Sequence, residues 1–215
     1  MSSSVALASA KRAVGRLHPT STAFFLCDIQ ERFRPEIHAF ESVVSVAQKM
    51  SKASQILSVP LIVTEQYPKG LGHTVSEIDI THAKIVEAKS KFSMYTPMVQ
   101  EKLQELSIKS VVLYGIESHV CVLQTCLDLL ENNYEVHVLA DGVSSMNYPE
   151  IEIALKRMDK CGAMVVSSES VLFQLTNDAA NPNFKAISAL VKEFQAHSKN
   201  SKLLFKNGIP PQAQL

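Results

Sequence analysis

Short, wholly apolar runs recur along this chain. Each ends at a polar residue and is separated from the next by a segment with helical spacing. Residues 22–27 (TAFFLC) are apolar or small at every position and stop at Asp28. A strand of that composition has no polar face to show water, so it must be covered on both sides. Residues 61–64 (LIVT, opened by Pro60), 84–88 (KIVEA), 110–116 (SVVLYGI), 135–141 (EVHVLAD) and 163–168 (AMVVSS) read as five further strands. Between them, Phe40, Val43, Val44, Ala47, Met50, Ile56 and Leu57 follow helical spacing over residues 40–57. Thr96-Pro97 has the form of an N-cap and a first-turn proline for a helix to about residue 106. Ser118 is placed to cap a helix carrying Val120, Cys121, Leu123, Leu127 and Leu130. Residues 149–160 form another helix, and Phe184, Ile187, Leu190, Val191 and Phe194 mark a closing one. Strands alternating with helices predict an α/β fold of three α/β/α layers around a six-stranded, mainly parallel sheet.

The ends read differently. Residues 1–21 are rich in Ser and Ala, carry Lys11, Arg12 and Arg16, and hold no acidic residue. That composition fits a flexible N-terminus or a mitochondrial presequence. A compact domain is expected over residues 22–197, and a loosely attached tail with Pro210 and Pro211 over 198–215. Lys plus Arg and Asp plus Glu both number 21, so the net charge is zero and gives no footprint for nucleic acid or an anionic membrane. No apolar run approaches the roughly 20 residues that span a bilayer. The expected partners are a small-molecule substrate and further copies of the same chain. Three of the four cysteines (Cys27, Cys121, Cys126, Cys161) sit in apolar segments and none forms a CxxC pair. This favours a reducing compartment, with the cytoplasm as the expected location and the mitochondrion as the alternative.

In an open parallel sheet, ligands bind beyond the carboxyl ends of the strands, where the strand order reverses. Asp28 follows the first strand, Lys89 the third, and Cys121 lies in the first turn after the fourth. With the order 3-2-1-4-5-6, Asp28 and Cys121 face each other across that crevice. Each has a plain alternative: a turn or cap Asp, a solvated Lys beside Lys84 and Lys91, a core-packing Cys. Their combination at the reversal point is the signal.

Three segments carry a family resemblance: CDIQERF (residues 27–33), AKSKFSM (88–94) and GIESHVCV (115–122). They resemble the signature regions of the isochorismatase-like cysteine hydrolases, with similarity from about residue 22 to 196. TEQYPKGLG (64–72) and QLTNDAANPNFK (174–185) add to the likeness. The resemblance implies the isochorismatase-like, Rossmann-like fold and a catalytic triad of Asp28, Lys89 and Cys121. Lys89 stands three residues before Phe92, as the motif requires, and Lys91 does not. The resemblance also implies a cis peptide between Ile116 and Glu117, beside an oxyanion site formed with Cys121. Gln30, Phe33 and Tyr67 are expected to line the substrate pocket.

The chemistry expected of the triad follows from general rules. A free thiol has a pKa of about 8.5 and only its thiolate attacks, so a nearby Lys89 and a helix start would assist Cys121. Asp28 would act as general base and then general acid around a thioester. The metal site of the related nicotinamidases has the pattern T-x-D-W-H-P; here residues 64–68 read TEQYP, with Gln66 and Pro68 at the Asp and His positions. Neither is an ordinary zinc ligand, so no metal and no cofactor are expected. The function implied is metal-independent hydrolysis of a small amide or related acyl (C–N) compound. The alternative is a binding module that keeps the fold and works through partners.

Overall fold

The computed structural model describes residues 14–204. The presequence expectation therefore falls almost wholly outside the described residues, as does the end of the expected tail. Within them, Leu17 is buried against the core and Thr22 Oγ1 donates to His18 O at 2.8 Å, so order begins before residue 22.

The elements run β1 (Thr22–Cys27), α1 (Phe40–Leu57), β2 (Leu61–Gln66), α2 (Pro68–Leu71), β3 (Ile85–Lys89), α3 (Pro97–Glu105) and β4 (Ser110–Ile116). Then follow α4 (Leu123–Glu131), β5 (Glu135–Ser144), α5 (Tyr148–Lys160), β6 (Met164–Val166), α6 (Ser168–Thr176), α7 (Phe184–Glu193) and α8 (Gln195–Lys199). All six strands pair in parallel, in the order β3-β2-β1-β4-β5-β6. The order reverses between β1 and β4, as expected.

Alternation along the strands builds two cores. Phe24, Leu26, Val112, Tyr114 and Leu139 face α1, α6 and α7. Ala23, Phe25, Cys27, Val111, Leu113, Val136 and Val138 face α3, α4 and α5. β1 and β4 are buried at every residue, which is why their sequences carry no polar alternation. Thr96 caps α3 through its hydroxyl, which accepts from Val99 N at 3.3 Å. α6 is absent from the sequence reading, which carried a strand on to Ser168. Ser167 instead caps a helix there, accepting from Ser170 N. No helix among the described residues is long and apolar enough to cross a membrane.

His137 of β5 is 1 % exposed and neither ring nitrogen has a hydrogen-bond partner among the described residues. Burial lowers its pKa, opposed in part by the charge of Glu135. The folded chain therefore resists a proton that the unfolded chain accepts near pH 6.5. Stability is held above that pH and falls as the pH drops through it, by at most about 1.4 kcal/mol per unit. His137→Phe is expected to flatten that fall, read as the difference between urea unfolding curves at pH 5 and pH 7.5.

Candidate active site

The carboxyl ends of β1, β2, β3 and β4 converge on Asp28. This residue takes a left-handed conformation, φ 55°, immediately after β1, which turns its side chain back over the sheet end. It is 1 % exposed. Thr64 Oγ1, from β2, donates to Oδ1 at 2.7 Å, and Lys89 Nζ, from the end of β3, donates to Oδ2 at 2.7 Å. Cys27 Sγ donates to Oδ2 at 3.6 Å. The parallel register sets these partners, because Cys27 lies opposite Thr64 and Gln66 lies opposite Lys89.

The Lys89 side chain is 1 % exposed and its ammonium uses all three donors. They go to Asp28 Oδ2, Gln66 Oε1 at 2.7 Å and Phe92 O at 2.8 Å. Burial pulls the Lys89 pKa down, but the neighbouring Cys27, Asp28 and Cys121 more than offset it, and the net shift is upward. Lys89 is thus a fixed cation within electrostatic reach of both thiols. Lys91, by contrast, is exposed and pairs with Asp128 at 2.6 Å.

Cys121 sits in a π-helical turn, Ser118–Val122, that runs directly into α4, and it is 6 % exposed. Thr125 locks the turn: its hydroxyl donates to Cys121 O at 2.6 Å and accepts from Met94 N at 2.9 Å. Ser118 is no cap. Its hydroxyl meets Ser145 Oγ at 2.5 Å. Glu117 occupies the cap position with φ 55° and ψ 62°. Glu117 O accepts from Val120 N and Val122 N, while Ser118 N and His119 N have no hydrogen-bond acceptor among the described residues.

The expected cis peptide is not found. All described peptide bonds are trans, Ile116–Glu117 included, and Glu117 takes a left-handed conformation ahead of the turn. A glycine brings the turn close. Gly115 has φ 142°, and a Cβ there would lie 2.1 Å from Cys27 O and 2.7 Å from Cys27 Cβ. No side chain fits between β4 and β1 at this point. Gly115→Ala should cost at least about 1–3 kcal/mol for the backbone conformation alone, and the clash displaces the Cys121 turn. The expected outcome is a lower melting temperature together with slower alkylation of Cys121.

The expected pocket residues separate. Gln30 is fully buried, with Oε1 accepting from Gln66 N at 2.7 Å and Nε2 donating to Gln66 O at 2.9 Å and Gly72 O at 2.6 Å. Its amide ties the β2–β3 loop to the end of β1 and keeps no group for a ligand. Phe33 packs against the core on the α1 face. Tyr67 is 61 % exposed, with its ring over Gly70. Gln66, read only as a lost metal ligand, holds Lys89. Glu65 accepts from His73 Nδ1 at 2.9 Å and from Thr74 N and Oγ1 at 2.7 and 2.9 Å. Burial raises the Glu65 carboxyl, but these bonds outweigh it and its pKa lies below the usual value. Thr64 and Cys27 were missed; both sit inside apolar runs, and only the register places them on Asp28.

Comparison with known proteins fits this architecture. The isochorismatase domain model matches residues 22–170. Isochorismatase domain-containing protein 1 of Salmo salar is 48 % identical over 194 residues, covering 90 % of this chain and 68 % of that protein. The chain spans 64 % of the Danio rerio counterpart. Isochorismatase domain-containing protein 2A of Mus musculus is 45 % identical over 188 residues, covering 87 % of this chain and 90 % of its own. Among solved structures, MAR1 ribonuclease from Caenorhabditis elegans superposes with a TM-score of 0.81 at 38 % identity, over 93 % of this chain and 100 % of that one. On the extent of that domain match and the near-half identity of full-domain relatives, the chain belongs to the isochorismatase family.

Proposed function

We propose that the chain is a metal-independent cysteine hydrolase of a small amide or related acyl compound, with Asp28, Lys89 and Cys121 as its catalytic triad. One observation supports this reading: a buried Asp–Lys ion pair whose ammonium lies within electrostatic reach of the nearly sealed Cys121 thiol, at the point where the strand order reverses. A buried ion pair contributes little to stability compared with apolar packing, so its presence calls for another role. Asp28 accepts the Cys121 proton, and the thiolate attacks the acyl carbon beside the Lys89 cation. The oxyanion forms at the start of the Ser118–Val122 turn, where each backbone donor is worth roughly 2.7–4 kcal/mol. Asp28 then protonates the leaving amine, and water hydrolyses the thioester. The 6 % exposure of Cys121 supports a small substrate.

Metal independence rests on the donors. Glu65 is occupied by His73 and Thr74, and Gln66 by Lys89 and Ser90. Self-association is part of the same reading. Tyr148 and Ile153 of α5, with Met146 before it, are 42 %, 60 % and 47 % exposed and offer apolar surface to a second copy. A hydrolysis screen over small amides, hydroxamates and RNA tests the function, with Cys121→Ala as the blank. Turnover of a small acyl compound, unchanged by EDTA, is the expected result. Hydrolysis of RNA alone, the substrate named for the C. elegans relative, or loss of activity on chelation, contradicts it.

A further inference from the structure

We propose that Cys27 is a resolving thiol for Cys121: a hydroperoxide oxidises Cys121 to the sulfenic acid, and Cys27 then closes a reversible disulfide with it. The inference rests on Cys121 being the reactive thiol and adds a reaction that the hydrolysis does not use.

Cys27 ends β1, is completely buried, and has no step in the hydrolysis. Gly115 leaves room for β4 to press against Cys27, and β4 leads directly into the turn that carries Cys121. Both thiols belong to the same buried cluster on the α4 face of the sheet. Burial raises the Cys27 pKa well above that of an ordinary thiol, and the adjacent Cys121 and Asp28 raise it further, against the pull of Lys89. Cys27 is therefore a protonated bystander while Cys121 is reduced, and its S–H points at Asp28 Oδ2. The other two cysteines are placed differently. Cys126 belongs to the same cluster but lies in α4, beyond the turn that carries Cys121 and away from the end of β1, and Cys161 is exposed after α5.

The steps balance. Sulfur of Cys121 attacks one peroxide oxygen, the O–O bond breaks, and the departing oxygen leaves as water or an alcohol with the thiol proton. Sulfur of Cys27 then attacks the Cys121 sulfur and the S–O bond breaks. Asp28, already the acceptor of the Cys27 S–H, takes its proton and delivers it to the departing hydroxide, which leaves as water. Both sulfurs are oxidised and the peroxide supplies the oxidising equivalents. The disulfide stops hydrolysis and keeps Cys121 from the irreversible sulfinic acid, and a thiol reductant restores it.

The test treats the full chain with a slight excess of hydrogen peroxide and maps its peptides by mass spectrometry. The expected result is the loss of two hydrogens, a linked peptide joining Cys27 to Cys121, and full recovery of alkylatable Cys121 after dithiothreitol. Cys27→Ser should instead carry sulfinic acid at Cys121 that dithiothreitol does not reverse. Sulfinic acid at Cys121 in the unaltered chain, or a linked peptide to Cys126 or Cys161, overturns the inference. Mapping of the unaltered chain decides it even where the variant fails to fold. Selective alkylation of Cys121 before peroxide checks the underlying reading separately, so a failure of either one is recognisable.

Discussion

Cys121→Ala lowers hydrolysis of any substrate found in the screen by at least about a thousandfold, because removal of a covalent nucleophile leaves only binding and oxyanion stabilisation. The fold survives the change. Cys121 contributes one small side chain to a core that also holds Phe25, Leu113, Val122 and Leu129, so the stability loss is about 1 kcal/mol. The turn itself is held through the backbone, by Thr125 on Cys121 O and by Glu117 O on two N–H groups. The check pairs steady-state hydrolysis with thermal unfolding. An inactive variant that melts close to the parent places the chemistry on the sulfur. A variant that keeps comparable activity removes Cys121 from the mechanism.

Lys89→Met has the opposite profile, a large loss of stability as well as of activity. It strips Asp28 Oδ2 of its ammonium partner at a site 1 % exposed, leaving a buried carboxylate with Thr64 Oγ1 and a long thiol contact. Breaking a buried pair from one side costs about 3–5 kcal/mol. Gln66 Oε1 and Phe92 O lose their donor in the same change. Adding Asp28→Asn to Lys89→Met removes the stranded charge and should recover much of that stability without recovering activity. Lys91→Met, whose pair with Asp128 is exposed, should stay within about 0.5 kcal/mol of the parent. Urea unfolding of the four proteins reads all of this. A larger loss for Lys91→Met than for Lys89→Met would move the buried cation to residue 91.

The sheet was legible because its strands are buried on both faces, which leaves runs such as TAFFLC and SVVLYGI with no polar alternation. The strand order followed from the resemblance and the rules of parallel sheets. The third-strand lysine was legible only through its spacing to Phe92, since residues 89 and 91 share a face of an extended chain. Several features lay beyond the sequence. Gln30 and Gln66 are polar residues next to a site and invite a ligand role, yet three hydrogen bonds commit the Gln30 amide to the loop and Gln66 clamps Lys89. Cys27 looked like core because it is core; its position against Asp28 and Gly115 comes from strand register and the close approach of β4. The trans link before the left-handed Glu117 could not have been read from residue types.

The central claim is that Asp28 and Lys89 make Cys121, and no other cysteine, a reactive thiol. The most direct measurement is the rate of alkylation of each of the four cysteines in the native chain as a function of pH, by iodoacetamide labelling and peptide mapping. Exposed Cys161 serves as the internal reference, and buried Cys27 and Cys126 should label slowly throughout. The account predicts that Cys121 labels faster than Cys161 despite its burial, keeps that advantage well below pH 8, and loses it in Lys89→Met. Labelling in the order of exposure, with Cys161 first and Cys121 as slow as Cys126 at every pH, contradicts it.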